Sequence, residues 1–269
     1  MQGERGENII RLYGESYQID ADPITSENIV KGAALFFFNV TKKEKAEQIR
    51  REFTANVYHE LKTPLHSISG YAELLKNDMV KENDKIPFAG KIYDEAGRMI
   101  RLVEDIISLS HLDEGADDMQ RENIDLYTLA EKAVQSLEPQ ADTVCVALEL
   151  SGVPAPLNGI PQLLYSVIYN LCDNAIKYNH ENGKVMVNIQ NENGMVVLSV
   201  EDTGIGIAPE HQERIFERFY RVDKSHSKAV GGTGLGLSIV KHAAKIHNAK
   251  VDVKSHVGKG TTVIVTFPK

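Results

Sequence analysis

The chain has 269 residues, enough for one large or two modest domains, each with its own core. Hydrophobic residues make up 42% and charged residues 25%, ordinary proportions for a water-soluble globular protein. The formal charge of -8, with no basic cluster, argues against broad nucleic-acid binding. Cys145 and Cys172 sit in apolar segments without metal-ligand spacing and are expected to be small core residues of a reduced protein. The longest apolar run, Ala33 to Phe38, is too short to cross a bilayer, and no signal peptide is expected. The expected location is the cytoplasm, or the cytoplasmic side of a membrane-anchored receptor whose sensor precedes this segment.

Residues 9–40 read as three short strands, at Ile9–Tyr13, Ser16–Ile19 and Gly32–Val40, with Asp20–Asn28 around Pro23 as a loop. Three such strands need something else to pack on. One helix is expected from about 42 to 80, about 60 Å long at 1.5 Å per residue. Ala46, Ile49, Phe53, Val57, Leu61, Ile68, Ala72 and Leu75 form its apolar stripe. His59 falls off that stripe, beside Glu60, and should face solvent. Asn83–Pro87 breaks the helix. A second follows from about 88 to 112, with Ile92, Ala96, Met99, Val103, Ile106 and Ser110 on its seam. An αα-hairpin has too little core of its own, and pairing two copies into a four-helix bundle supplies one.

Beyond an acidic linker at Asp113–Asp118 the periodicity changes. Helices are expected at 124–137, 159–178 and 235–247. Strands are expected at 144–150, 184–190, 195–201, 250–255 and 261–267. This order suggests an α/β sandwich with helices on one face of a mixed sheet. The fold class is therefore α+β. An antiparallel helical hairpin forming a dimeric four-helix bundle comes first, and the sandwich follows.

Three stretches of the second part carry chemistry. Asn170, Asn174 and Lys177 are spaced by four and three, so they share a helix face that offers amide oxygen to Mg²⁺ and an ammonium to phosphate. In Val200-Glu-Asp202-Thr-Gly204-Ile-Gly206, an apolar strand ends in a carboxylate and a glycine turn. Asp202 accepts hydrogen bonds, as an exocyclic amine such as adenine's requires. Gly231-Gly232-Thr233-Gly234-Leu235-Gly236-Leu237 runs into a helix, and its freed amides suit an anion. It is neither a Walker A loop nor a dinucleotide fingerprint. The Ser-, Lys- and Gly-rich residues after Asp223 read as a lid.

In their order and spacing these stretches resemble the sensor histidine kinases of two-component signalling, over residues 45–269. His59-Glu-Leu-Lys-Thr-Pro-Leu is similar to the family's phosphoacceptor box and Asn170–Tyr178 to its asparagine box. Asp202–Gly206 and Gly232–Leu237 are similar to its glycine boxes, and Phe216–Arg221 to its phenylalanine box. Residues 9–40 resemble the last strands of a PAS sensor domain. The domains implied are a sensor remnant at 1–41, a dimerisation and phosphotransfer hairpin at 42–113, a linker at 114–123 and an ATP-binding domain at 124–269.

The resemblance implies ATP and Mg²⁺ as cofactors. Asp202 would read adenine and Asn174 would hold the metal. Asn170, Lys177, Tyr178 and Arg221 would contact phosphate or ribose. Gly204 and Gly206 would border the base, and the 232–237 stretch, with Thr233, Leu235 and Leu237 between its glycines, would wrap the triphosphate. His59 would attack the γ-phosphate, with Glu60 accepting its proton or orienting the ring, and Thr63 would position water for a phosphatase reaction. The implied partners are a second copy of the chain and a response regulator receiver domain, with no nucleic acid and with membrane contact only through a preceding sensor. Two other readings are a nucleotide-binding dimeric scaffold without phosphotransfer and an ATPase of the same fold. Asn170 disfavours the ATPase, because it stands where those enzymes carry a water-activating glutamate.

Overall fold

A computed structural model describes residues 6–26, 29–113, 119–192, 194–222 and 232–268. The chain divides into two compact units, Met1–Glu60 and Leu61–Lys269.

The first unit begins with an antiparallel three-stranded sheet. Its strands are β1 (Gly6–Leu12), β2 (Glu15–Ser26) and β3 (Ile29–Asn39), in that order across the sheet. The expected loop at Asp20–Asn28 is instead the second half of β2, which runs through Pro23 to Ser26 with a register shift between Ile24 and Thr25. Among the described residues the register with β1 ends at Gly6 opposite Ala21, and Pro23 pairs with Ala33 of β3.

Helix α1 (Thr41–Lys76) follows directly. The Thr41 hydroxyl accepts from the Ser16 amide at 2.9 Å, and Ser16 Oγ donates to Glu44 in the first turn at 3.0 Å. The acidic first turn also complements the helix dipole. The helix stops four residues short of the expected end because Asp78 adopts a positive φ of 52°. The Met79 amide bonds back to Leu74 and the Asp78 amide to Leu75, the paired closure of a Schellman C-terminus.

In the second unit a 3₁₀ turn at Glu82–Asp84 leads into α2 (Lys85–Asp113). Pro87 was expected to precede this helix. It lies inside the first turn, where amides have no helical acceptor to lose. The rings of Tyr71 and Phe88 meet edge to face at 5.3 Å, with the Lys91 ammonium over both, which ties the hairpin near its turn. The seam of α1 is not fully covered within the chain. Ile49 is 57% exposed, and Ala46 and Ala72 are exposed too.

The remaining elements form a five-stranded sheet with helices against it. Strand β4 (Glu122–Asp125) precedes α3 (Leu126–Thr143), so that helix starts two residues later than expected and runs past Pro139. Asp125 sets the start, accepting from the amides of Tyr127 and Ala155 and from the Thr128 hydroxyl. Next come β5 (Ala147–Gly152), β6 (Pro156–Gly159), α4 (Pro161–Lys177), β7 (Lys184–Glu192) and β8 (Met195–Asp202). The short α5 (Pro209–Gln212), then α6 (Gly236–Ile246), β9 (Lys250–His256) and β10 (Gly260–Pro268) complete the chain. The sheet order is β5-β7-β8-β10-β9, with β5 parallel to β7 and the other pairs antiparallel, which makes it the expected mixed sheet.

Alternating residues of the central strands point to the helices. Val185, Val187, Ile189, Val196, Leu198, Val265 and Phe267 are buried there with Leu137, Leu164, Ile168 and Ile239. Strands β4 and β6 pair with each other outside this sheet, a pairing sequence pattern did not suggest because each is four residues long. Of the two cysteines expected in the core, Cys172 is buried, and burial pushes its thiol up to about 12. Cys145 is exposed, held at a φ of 56° in the turn after α3. No described helix is long and apolar enough to cross a membrane.

Candidate functional site

A cleft of ≈ 1030 Å³ opens between α4, α6, the end of β8, residues 220–222 and residues 232–234. Asn170, Asn174, Lys177, Tyr178, Asp202, Gly206, Arg221, Gly232, Thr233, Gly234, Gly236 and Leu237 all line it. Of the residues expected at a nucleotide, only Gly204 and Leu235 are not on its wall. Leu235 is fully buried and anchors the loop from beneath. Gly231 and the stretch read as a lid, 223–231, lie outside the described residues.

Helix α4 carries the first wall. Its apolar positions Leu164, Val167, Ile168, Leu171 and Cys172 turn to the core, which leaves Asn170, Asn174 and Lys177 on the cleft side. The Asn170 amide donates to the Ser166 carbonyl at 2.8 Å, a bond one turn back along the helix. A Cβ on Gly236 would come within 2.5 Å of Asn170 Oδ1, so a side chain there would have to displace that amide. Lys177 pairs with Asp173 at 2.5 Å, and Asp173 also accepts from Gln140. The charge of Lys177 is thus already balanced within α4. The Asn174 side chain makes no hydrogen bond among the described residues, and its amide oxygen is left for a ligand.

Asp202 closes β8. Its Oδ1 accepts from the Gly204 amide at 2.8 Å and the Thr261 amide at 3.2 Å, so both bonds fall on one oxygen and Oδ2 is left for a donor. Burial raises the Asp202 carboxyl from its ordinary value, against the lowering effect of the two amides. Gly206 has φ +68°, and a Cβ there would sit 2.0 Å from the His256 carbonyl oxygen. The turn can therefore pass under β9 only as glycine. Thr261, on β10, lines the cleft beside Asp202 and escaped sequence analysis. Its signal was the Gly260-Thr261 pair opening the last strand, which read as an ordinary strand start.

The glycine loop is held from two sides. The Phe219 amide donates to the Gly234 carbonyl at 2.8 Å, and Arg221 donates to the Gly232 carbonyl at 2.5 Å. Arg221, expected at phosphate, here clasps the loop instead. Helix α2 also reaches the cleft, through Arg101, Glu104, Asp105 and Ser108. Asp105 Oδ2 accepts from the Thr233 hydroxyl at 2.7 Å, a contact across 128 positions that nothing local in the sequence announces.

The other expected residues are on α1. His59 and Thr63 are exposed and Glu60 is half-buried. The His59 ring meets Tyr58 edge-on at 5.8 Å, and Arg50, Arg51, Thr54, Ala55, Tyr58 and His59 line an open hollow of ≈ 580 Å³. Pro64 is buried, and α1 remains a continuous helix across it.

Comparison with known proteins gives two family matches. Residues 49–115 match the His Kinase A (phospho-acceptor) domain, and residues 159–269 match the histidine kinase-, DNA gyrase B- and HSP90-like ATPase family. The chain is similar to the sensor protein kinase WalK of Staphylococcus aureus, 33% identical over 248 residues, covering 91% of this chain and 60% of that protein. The chain thus spans less than two thirds of that relative's length. Among solved structures it is similar to full-length ShkA in complex with AMPPNP, with a TM-score of 0.59 and 26% identity over 82% of this chain and 45% of that one. It shares its fold with histidine kinase ThkA in complex with the response regulator TrrA, with a TM-score of 0.65 and 21% identity over 98% of this chain and 78% of that one.

Proposed function

Since the chain belongs to the sensor histidine kinase family, we propose that it is an ATP-dependent protein-histidine kinase that phosphorylates His59 and passes the phosphoryl group to an aspartate of a response regulator. The observation that carries this reading is the convergence of Asn174, Asp202 and the 232–236 glycine loop on one cleft. That cleft is large enough for a nucleotide, since ligand sites commonly occupy about 300–1,000 Å³.

Asp202 offers a half-buried acceptor for adenine's amine, with Thr261 beside it. The loop amides ahead of α6 face where phosphates would lie. The donor set suits Mg²⁺, which takes one or two protein oxygens and fills its remaining positions with phosphate and water. Asn174 would hold it. Bound there, the metal would neutralise charge on the phosphates. Tyr178 borders the same wall, with Lys177 and Arg221 able to exchange their present partners for phosphate. Asn170, a poor base, leaves water unactivated and so favours transfer over hydrolysis.

In the transfer, a nitrogen of His59 forms the new P–N bond as the bond from the γ-phosphorus to the bridging oxygen breaks and ADP leaves. Glu60 takes the imidazole proton. Thr63, one turn on, would position water for dephosphorylation of the regulator. Exposed apolar residues on α1 and α2 support a homodimer joined through a four-helix bundle. The strands β1–β3, leading straight into α1, support reading residues 1–41 as the end of a sensor domain, with 42–113 as the hairpin, 114–123 as linker and 124–269 as the ATP-binding domain.

Incubation with γ-labelled ATP tests the proposal. Acid-labile, base-stable label that disappears in His59→Gln is the expected result. Nucleotide binding without any such label would instead favour a signalling scaffold.

A further inference from the structure

Helix α2 packs against α6 and presents four polar side chains to the cleft, while Leu102 and Leu109 behind them are buried. Among the four, Asp105 makes a specific bond. Its Oδ2 accepts from Thr233 Oγ1 at 2.7 Å, and Thr233 Oγ1 in turn accepts from the Leu235 amide at 3.3 Å, one residue before α6 begins. A carboxylate is thereby fixed at the loop whose amides would otherwise meet phosphate oxygens. Arg101, one turn earlier on α2, also faces the cleft. Glu104 is adjacent in sequence, and the Lys177 ammonium nearby is paired with Asp173. Burial raises the Asp105 carboxyl, outweighing the Thr233 bond and the Lys177 charge.

Resting on the reading of the cleft as an ATP site, we propose that Asp105 is an autoinhibitory latch. Its bond to Thr233 holds α2 on the glycine loop, and its charge opposes a triphosphate there. Nucleotide binding and release of α2 from the loop are then linked, each favouring the other by the same factor. Whatever loosens α2 raises nucleotide affinity, and nucleotide loosens α2.

The test uses the full chain and a non-hydrolysable ATP analogue with Mg²⁺, with affinity read by titration calorimetry at fixed salt. Asp105→Asn keeps the shape and removes the charge. It should tighten analogue binding roughly tenfold, the scale of one unit charge removed from a partly screened site. Glu104→Gln removes a charge one residue away that has no bond to Thr233, and should change affinity much less. Hydrogen exchange of the α2 amides at 101–109 should speed up when analogue binds the parent chain, and should already be fast in Asp105→Asn. Equal affinity in the parent and Asp105→Asn, or equal tightening in both variants, would overturn the latch and leave the ATP site standing. If no folded form bound the analogue, the nucleotide reading would fall and the latch with it.

Discussion

The buried imidazole of His247 accepts the backbone amide of Ile160 on Nε2 at 2.9 Å, while its Nδ1 lies 2.8 Å from the Ala243 carbonyl. The two contacts fix the neutral tautomer that donates from Nδ1, and they join the end of α6 to the start of α4. The contact needs Gly159, where a Cβ would lie 3.0 Å from Nε2. Burial lowers the His247 pKa from 6.5.

A folded-state value below the unfolded one means that the unfolded chain binds the proton more readily. His247 therefore contributes its full stability above pH 6.5 and loses it as the pH falls towards the lowered folded value. Thermal melting between pH 5 and 8 should show a midpoint that declines on the acid side. His247→Phe should flatten that part of the decline. At pH 8 it should cost about 1–3 kcal/mol, since the Ile160 amide is left buried and unpaired.

Asp202→Asn puts an NH₂ among donors. The variant must present either that group or its one oxygen to the amides of Gly204 and Thr261, and it loses the carboxylate that an adenine amine would meet. Nucleotide affinity should fall at least tenfold, the equivalent of about 1.4 kcal/mol. Titration of ATP analogue against both proteins checks this, with circular dichroism confirming that the fold is kept.

On α1, Thr63 and His59 are one turn apart and both exposed. Thr63→Ala should leave labelling of His59 by ATP within a few-fold of the parent while slowing dephosphorylation of a phosphorylated receiver domain by about tenfold or more. Parallel assays of the two reactions separate them. Pro64 leaves the Glu60 carbonyl without its usual helical donor. Pro64→Ala should restore that bond and shift the ratio of the two rates. An unchanged ratio would count against a role for the proline in signalling.

Ile49 is 57% and Val103 42% exposed on the seams of α1 and α2. Placing a charge there should cost little in an isolated chain and a great deal in a packed bundle. Ile49→Glu combined with Val103→Glu is expected to halve the mass found by light scattering. An unchanged mass would argue that the bundle forms elsewhere or not at all.

The sequence by itself determined those parts of the protein that depend on neighbours a few positions apart. The three- and four-residue steps put Asn170, Asn174 and Lys177 on one face of α4. Strict alternation marked the central strands, and glycine spacing marked the loops at Asp202 and before α6. Local rules misread β2 beyond Asp20, where pairing with β3 keeps Pro23 in a strand. They also misplaced Cys145, whose apolar surroundings hid a turn. Only the tertiary structure decided that Thr261 stands beside Asp202 and that Asp105 bonds Thr233 across 128 positions. Side-chain periodicity carries information along one element, whereas these contacts arise between elements and depend on how helices and sheet pack.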